Sequence, residues 1–246
     1  MPSISVIIPT WNEEHWLPRA LRSLATEHQV AELIVADNNS VDRTREIAQS
    51  FDCFLVEGGL PGKARNAGAR IATNPILMFV DADVTFPRGG ATTILEAFDD
   101  SRIVAVHGRL SPISTDLSAH LGYILLDIYL SVLSLLGFSQ GIGSFIAIRR
   151  ESFHALGGFD ERILVGEDVD IIRRLSRTGT VKYARHLKIP VSARRLNIEV
   201  PLWFGLKCLF WGILRVLGSR RSYINYRWQT YPSYIAQQEA SLLDND

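Results

Sequence analysis

The first hundred residues alternate between short apolar runs and stretches whose apolar positions recur every three or four residues. Ile4–Ile8 reads as a β-branched strand stopped by Pro9. Leu17, Leu21 and Leu24 then keep helical spacing, with Pro18 tolerable in a first turn, where no N–H partner is lost. Glu32–Ala36 predicts a second strand. Ser40 stands as a candidate N-cap for a helix carrying Thr44, Ile47, Ala48 and Phe51 on one face. Cys53–Val56 predicts a third strand, and Pro61 opens a helix with a stripe of Ala64, Ala67, Gly68 and Ile71. Ile76–Val80 is a fourth strand, apolar at every position. Such runs are covered on both faces, so their alternation with helices predicts an α/β fold with a mostly parallel sheet.

The 246 residues suit one α/β domain with an appended segment, and 47% apolar content supports a substantial core. The domain is expected over 1–200, with a C-terminal apolar helical segment over 201–246. Lys+Arg and Asp+Glu are equal at 26 each, which leaves no electrostatic footprint for nucleic acid. Cys53 and Cys208 are far apart and form no CxxC pair, so neither a disulfide framework nor a cysteine zinc site is expected. They suit a reducing, cytoplasmic compartment. MPSISVIIPT has no basic leader and reads as a first strand rather than a signal peptide.

Ligands of open α/β sheets bind beyond the carboxyl ends of the strands. Polar clusters follow three predicted strands: Thr10-Trp11-Asn12-Glu13, Asp37-Asn38-Asn39, and Asp81-Ala82-Asp83. The last sets two carboxylates two residues apart, an arrangement that calls for water or a cation between them. Mg²⁺ or Mn²⁺ held by Asp81 and Asp83 together with substrate phosphates would meet that need. Gly58-Gly59-Leu60-Pro61-Gly62-Lys63-Ala64-Arg65-Asn66 could bring backbone N–H groups and two cations to a phosphate, although the GxxxxGK(S/T) spacing fails. Close helix packing explains the small residues equally well.

Gly166-Glu167-Asp168-Val169-Asp170 opens another helical pattern, whose buried stripe is Ile171, Ile172 and Leu175. Asp168 precedes Ile171 and Ile172 by three and four positions and shares their inward face. A carboxylate there needs a partner or a task, and general base is the task proposed. Stabilisation by the helix dipole is the simpler alternative. Asp170 lies four before Arg174 and reads as half of a surface pair.

Taken in order, these stretches resemble glycosyltransferase family 2. Ser5-Val6-Ile7-Ile8-Pro9-Thr10-Trp11-Asn12-Glu13-Glu14 looks like that family's opening motif, and Asp37-Asn38-Asn39-Ser40-Val41-Asp42 like its second nucleotide-contacting loop. Lys63-Ala64-Arg65-Asn66-Ala67-Gly68 is similar to its "ARN-G" helix, and Phe79-Val80-Asp81-Ala82-Asp83 to its DxD strand. Gly157-Gly158-Phe159-Asp160-Glu161 and Gly166-Glu167-Asp168 match its late GGFDE and ED motifs. The resemblance implies a GT-A-type fold and inverting transfer of one sugar from a nucleoside-diphosphate sugar. It sets Pro9, Thr10, Asn12, Glu13, Asp37 and Arg65 around the nucleotide, Asp83 on the metal, and Asp168 as base. Lys63, Asn66, Asp81 and Ala82 join the expected donor site, and Glu167 the expected catalytic pair.

Two departures stand out. Where many relatives place a late histidine, this chain reads Val191-Ser192-Ala193-Arg194-Arg195, and Arg194 or Arg195 becomes the expected phosphate partner. The QxxRW signature of processive polymer synthases is absent, which favours single-sugar transfer. A nucleotidyltransferase is the enzymatic alternative, but it would want a glycine-rich loop where Pro9-Thr10-Trp11-Asn12 stands. A non-catalytic sugar-nucleotide-binding scaffold would keep Asp83 and have no need of Asp168.

Leu121–Phe138 and Pro201–Leu217 are apolar on every face. Asp127 interrupts the first; Lys207 and Arg215 interrupt the second, with Arg220, Arg221 and Arg227 behind it. Both fall short of a spanning helix. The alternatives are an interfacial helix on anionic lipid, suited to a lipid-linked acceptor glycan, or a packed helix pair or homodimer interface. Gly205, Cys208 and Gly212 form a small-residue groove that could receive the first segment.

Overall fold

A computed structural model describes residues 3–192, apart from 115, 136–142 and 164–165. Its centre is a seven-stranded sheet of order β3-β2-β1-β4-β6-β5-β7. The strands are β1 (Ile4–Thr10), β2 (Val30–Asp37), β3 (Phe54–Glu57), β4 (Ile76–Val80), β5 (Ile103–Ile113), β6 (Phe145–Arg149) and β7 (Thr180–Ser192). All neighbours pair in parallel except β6, which runs antiparallel to β4 and β5. The α/β, mostly parallel architecture is as the apolar runs predict.

Alternate residues of each strand feed two cores. Ile4, Val6 and Ile8 join Met78 and Val80 beneath α1 (Leu17–Ala25), α2 (Thr44–Ser50) and α4 (Gly90–Phe98). Ile7, Leu77 and Phe79 face α3 (Pro61–Ile71), α6 (Arg150–Ala155) and α7 (Glu167–Leu175) on the other side. Leu17, Leu21 and Leu24 are fully buried, each stabilising the fold by about 1.5–3 kcal/mol. Gly68 lets α3 approach β1 closely, since a Cβ there would lie 2.4 Å from Cγ2 of Ile7.

Three local expectations are corrected. Pro9 does not stop β1, which continues to Thr10. The Thr10 carbonyl accepts from Asn38 on the β2 side, so Pro9 faces the β4 side, where pairing has ended at Ile7. Ser40 does not cap α2, which begins at Thr44; Asp42 accepts from the Thr44 N–H instead. Ile71 is exposed at the end of α3, so the buried stripe is Ala64, Ala67 and Gly68.

The first apolar segment lies, as far as Leu135, in α5 (Leu117–Leu135), and 136–138 are outside the described residues. Its single acid is its anchor. Asp127 is 3% exposed and accepts from Tyr183 Oη at 2.5 Å and Arg185 Nη2 at 2.9 Å, with Arg109 Nε at 3.4 Å. Between Gly108 and Arg109 the register of β5 on β7 slips, setting Arg185 and Lys188 out of step with the strand before. Among the described residues, no helix is long and apolar enough to cross a membrane. Arg194, Arg195, Pro201–Leu217 and the whole 201–246 segment lie outside the described residues.

Candidate active site

The carboxyl ends of β1, β2, β3 and β4 share one rim because these strands are parallel. Thr10 and Asp37 are register partners at the ends of β1 and β2. Asp37 is fully buried and accepts from Thr10 Oγ1, the Ser40 N–H and hydroxyl, and Arg45 Nη1 at 3.2 Å. Four donors fix this carboxylate, and through it the 38–43 loop. That loop is stitched to the one after β1. The Asn12 N–H donates to Ser40 Oγ at 2.8 Å, Val41 N–H to Asn12 Oδ1 at 2.9 Å, and Glu13 N–H to Thr44 Oγ1 at 2.8 Å. Asn12 holds a left-handed φ of 56°, a conformation asparagine tolerates well. Pro9, Thr10, Asn12, Glu13 and Asp37 therefore lie along one braced edge.

The second half of the rim is organised by Arg65 on α3. Its buried guanidinium donates to Glu167 Oε1 at 2.6 Å, Asp81 Oδ1 at 2.9 Å and the Gly143 carbonyl at 3.1 Å. The ring of Phe159 lies 5.5 Å away. Burial opposes the cation, but Asp81, Glu167 and Asp168 outweigh it and hold its pKa above the ordinary value. One side chain thus ties the acid pair after β4 to the start of α7.

Asp168 is half-buried at that helix start, beside Arg65 and Glu167. Its Oδ2 accepts from the Gly143 N–H and its Oδ1 from Val169 N–H at 2.8 Å. Burial first, then the charge of Glu167, raise its pKa to about 6, against Arg65 and the two N–H donors. Gly143 fits closely here, since a Cβ on it would stand 3.0 Å from Asp168 Oδ2 and 3.3 Å from Arg65 Nη2 and would crowd both. Asp170 instead pairs with Arg174 at 2.7 Å.

Other expected residues divide between the site and its scaffold. Asp83 is 4% exposed, Ala82 is buried beside it, and the Asp83 carbonyl accepts from the Ser192 N–H at the end of β7. Asn66 grips the GGFDE turn: its amide donates to the Phe159 carbonyl and accepts from the Phe159 N–H, both at 2.9 Å. Lys63 is exposed, its stem packed beside Gly59. Sequence reasoning missed Gly143 and Phe159 as neighbours of Arg65. The glycines of Gly141-Ile142-Gly143, just ahead of the Phe145–Arg149 run, were the available signal.

The family model for glycosyl transferase family 2 matches residues 5–157, more than half of the sequence. The chain belongs to that family. Among curated members it is 29% identical to the O-antigen chain rhamnosyltransferase WbaN of Salmonella anatum over 196 residues, 73% of this chain and 62% of that protein. The pre-mycofactocin glycosyltransferase of Mycobacterium tuberculosis is 26% identical over 230 residues, 88% of this chain and 48% of that one. The chain therefore spans less than two thirds of either relative. Two solved structures share the fold, and the chain is similar to both. One is the mannosyltransferase PcManGT of Pyrobaculum calidifontis in complex with GDP-Man and Mn²⁺, with a TM-score of 0.63 and 17% identity over 100% of this chain and 81% of that one. The other is glucosyl-3-phosphoglycerate synthase of Mycobacterium tuberculosis in complex with Mn²⁺ and UDP-glucose, with a TM-score of 0.63 and 20% identity over 94% and 87%.

The acids on this family 2 rim fit a divalent cation shared with a substrate. Among the described residues, one buried cation, Arg65, stands among Asp81, Glu167 and Asp168, so these four side chains together are net negative. Among the described residues, no three acids, histidines or cysteines group as a complete protein cage. Two carboxylates completed by phosphate oxygens match the habit of Mg²⁺ and Mn²⁺.

Proposed function

We propose that this chain is an inverting glycosyltransferase, moving one sugar from a nucleoside-diphosphate sugar to an acceptor hydroxyl. Asp168 takes the proton of that hydroxyl as its oxygen attacks the anomeric carbon, and the nucleoside diphosphate departs from the opposite face. The observation that carries the proposal is the placing of the Asp168 carboxyl at the start of α7, tied through Glu167 and Arg65 to the acid pair after β4, with burial and Glu167 raising its pKa to about 6. A base with that pKa is ionised at neutral pH and still basic enough to share the proton.

Asp83 and Asp81 would hold the metal, which when bound supplies positive charge to the leaving diphosphate. Pro9, Thr10, Asn12, Glu13 and Asp37 border the nucleotide, with Lys63 beside the phosphates and Arg194 and Arg195 as further phosphate partners. Arg65 keeps Asp81 and Glu167 in place while offsetting their repulsion of an ionised Asp168. An acceptor linked to lipid and a peripheral position on the cytoplasmic membrane belong to the same proposal, supported by Arg220, Arg221 and Arg227 behind an apolar run.

The test is a calorimetric screen of UDP-, GDP- and dTDP-sugars with Mg²⁺ or Mn²⁺, followed by transfer to acceptor mixtures. Proton NMR of the product should show the anomeric configuration opposite to that of the donor. Retained configuration would remove Asp168 as base, and no metal-dependent binding of any donor would remove the transferase reading.

A further inference from the structure

We infer, on the reading of Asp168 as the base, that Arg174 is a positioning residue. It holds the Gly157-Gly158-Phe159 turn from α7, as Asn66 holds it from α3, and so fixes where α7 presents Asp168. The spacing of Asp170 and Arg174 predicts only a surface pair, yet the two side chains are 23% and 25% exposed. The guanidinium also does more than pair. Its Nε donates to Asp170 Oδ2 at 2.7 Å, its Nη1 to the Leu156 carbonyl at 3.0 Å and its Nη2 to the Gly158 carbonyl at 2.8 Å. One planar fork thus joins α7 to two carbonyls of the chain that leaves α6, a geometry that the single ammonium of lysine does not reproduce.

The turn is shaped to be held from both sides. Gly157 and Gly158 have φ of 74° and 73°, a left-handed pair that glycine adopts without steric cost. Their N–H groups fold back onto the His154 and Phe153 carbonyls at the end of α6. On the α3 side, Asn66 donates to the Phe159 carbonyl and accepts from the Phe159 N–H. A Cβ on Gly158 would stand 2.6 Å from Asn66 Oδ1, so the fit is close. The Phe159 ring lies edge-on to Phe79 of β4, with 5.2 Å between centroids, and the Arg65 guanidinium is 5.5 Å from it. The turn is therefore a spacer between α3, which carries Arg65, and α7, which carries Asp168.

Two ties hold α7 against that frame. The first is the bond from Arg65 to Glu167, next to Asp168. A helix tied at one point can still pivot about it. Arg174 lies near the other end of α7, about 10 Å along the axis from Glu167, and a tie at that distance stops the pivot. Ile171 and Ile172 are fully buried between the ties, but apolar contact is non-directional and sets the depth of the helix more than its heading. Heading matters, because a shift of about 1 Å in a reacting group can cost on the order of 10²-fold in rate.

The test follows nucleoside diphosphate released from UDP-, GDP- and dTDP-sugars with Mn²⁺ and acceptor mixtures, alongside calorimetric binding of the same donors. Arg174→Lys keeps the charge and loses the fork. It should lower kcat by about 10–10²-fold with donor affinity unchanged, in a protein that circular dichroism reports as folded. Asp170→Asn keeps an acceptor for Nε and should leave kcat near that of the unaltered chain. Millimolar guanidinium should restore part of the kcat lost in Arg174→Ala. In an Asp168→Asn background, Arg174→Lys should cost nothing more, since a residue that acts through Asp168 then has no base left to position. An unchanged kcat in folded Arg174→Lys would overturn the positioning role. So would a loss that appears in donor affinity instead, or an equal loss with and without the Asp168 carboxylate. Each of these leaves the base in place. A full-rate Asp168→Asn protein is the different result, which removes the base itself and the positioning role with it.

Discussion

At the residue scale the decisive group is the Asp168 carboxyl. Its pKa is raised to about 6, so in the proposed role of base it would be protonated and unable to accept a proton below that pH and available above it. The rate of transfer should therefore fall on the acid side with a midpoint near 6. Asp168→Asn should lower kcat by about 10²–10⁴-fold with little change in donor affinity, measured by steady-state kinetics and calorimetry. Glu167→Gln removes a like charge from beside Asp168 and should move the acid limb of the pH–rate profile to lower pH. A Glu167 that served only to hold α7 would leave the limb where it is. Asp83→Ala should abolish metal-dependent donor binding while circular dichroism still reports a folded protein. Retained, metal-dependent affinity would take Asp83 out of the site.

At the element scale, most of the fold rests on how closely helices meet the sheet. Gly68→Val would drive a side chain into Ile7 and should cost about 1–3 kcal/mol by urea unfolding, with Ile7→Ala in the same chain recovering part of the loss. β1 and β4 are legible in the sequence because strands buried on both faces show as continuous apolar runs, whereas β3, an edge strand with Phe54 exposed, is marked only by its short apolar run. The acid pair after β4 and the Asp168 helix are legible for the same reason, being polar groups set at the ends of apolar ones. Ser40 misleads, since it looks like a cap and its hydroxyl is spent across a loop that only the tertiary fold creates. Asp127 misleads differently. In the sequence it is a flaw in an apolar stretch, and its partners Arg185 and Arg109 come from strands that a local pattern cannot bring together. Gly143 is marked in the sequence only as a glycine ahead of an apolar run, because what it provides is a backbone N–H and a carbonyl.

At the scale of the whole molecule, the balance of charge hides a local asymmetry. Net charge is zero, yet Arg220, Arg221 and Arg227 follow the apolar 201–217 stretch closely. The intact protein should sediment with phosphatidylglycerol vesicles at low ionic strength and release as salt shortens the reach of its charges. Replacing the three arginines by glutamine should abolish that sedimentation, and a variant that still binds would place the attraction elsewhere.

The one reversed strand has an effect on what the site can become. Because β6 runs against β4, its beginning lies where β4 ends, and the Asp81 N–H donates to the Ser144 carbonyl at 3.0 Å across that junction. A sheet with every strand parallel would bring only exits to its working edge; here an entrance is there too. Gly143 and Ser144, the residues that lead into β6, therefore stand at the doorstep of the acid cluster, where Gly143 lends its carbonyl to Arg65 and its N–H to Asp168.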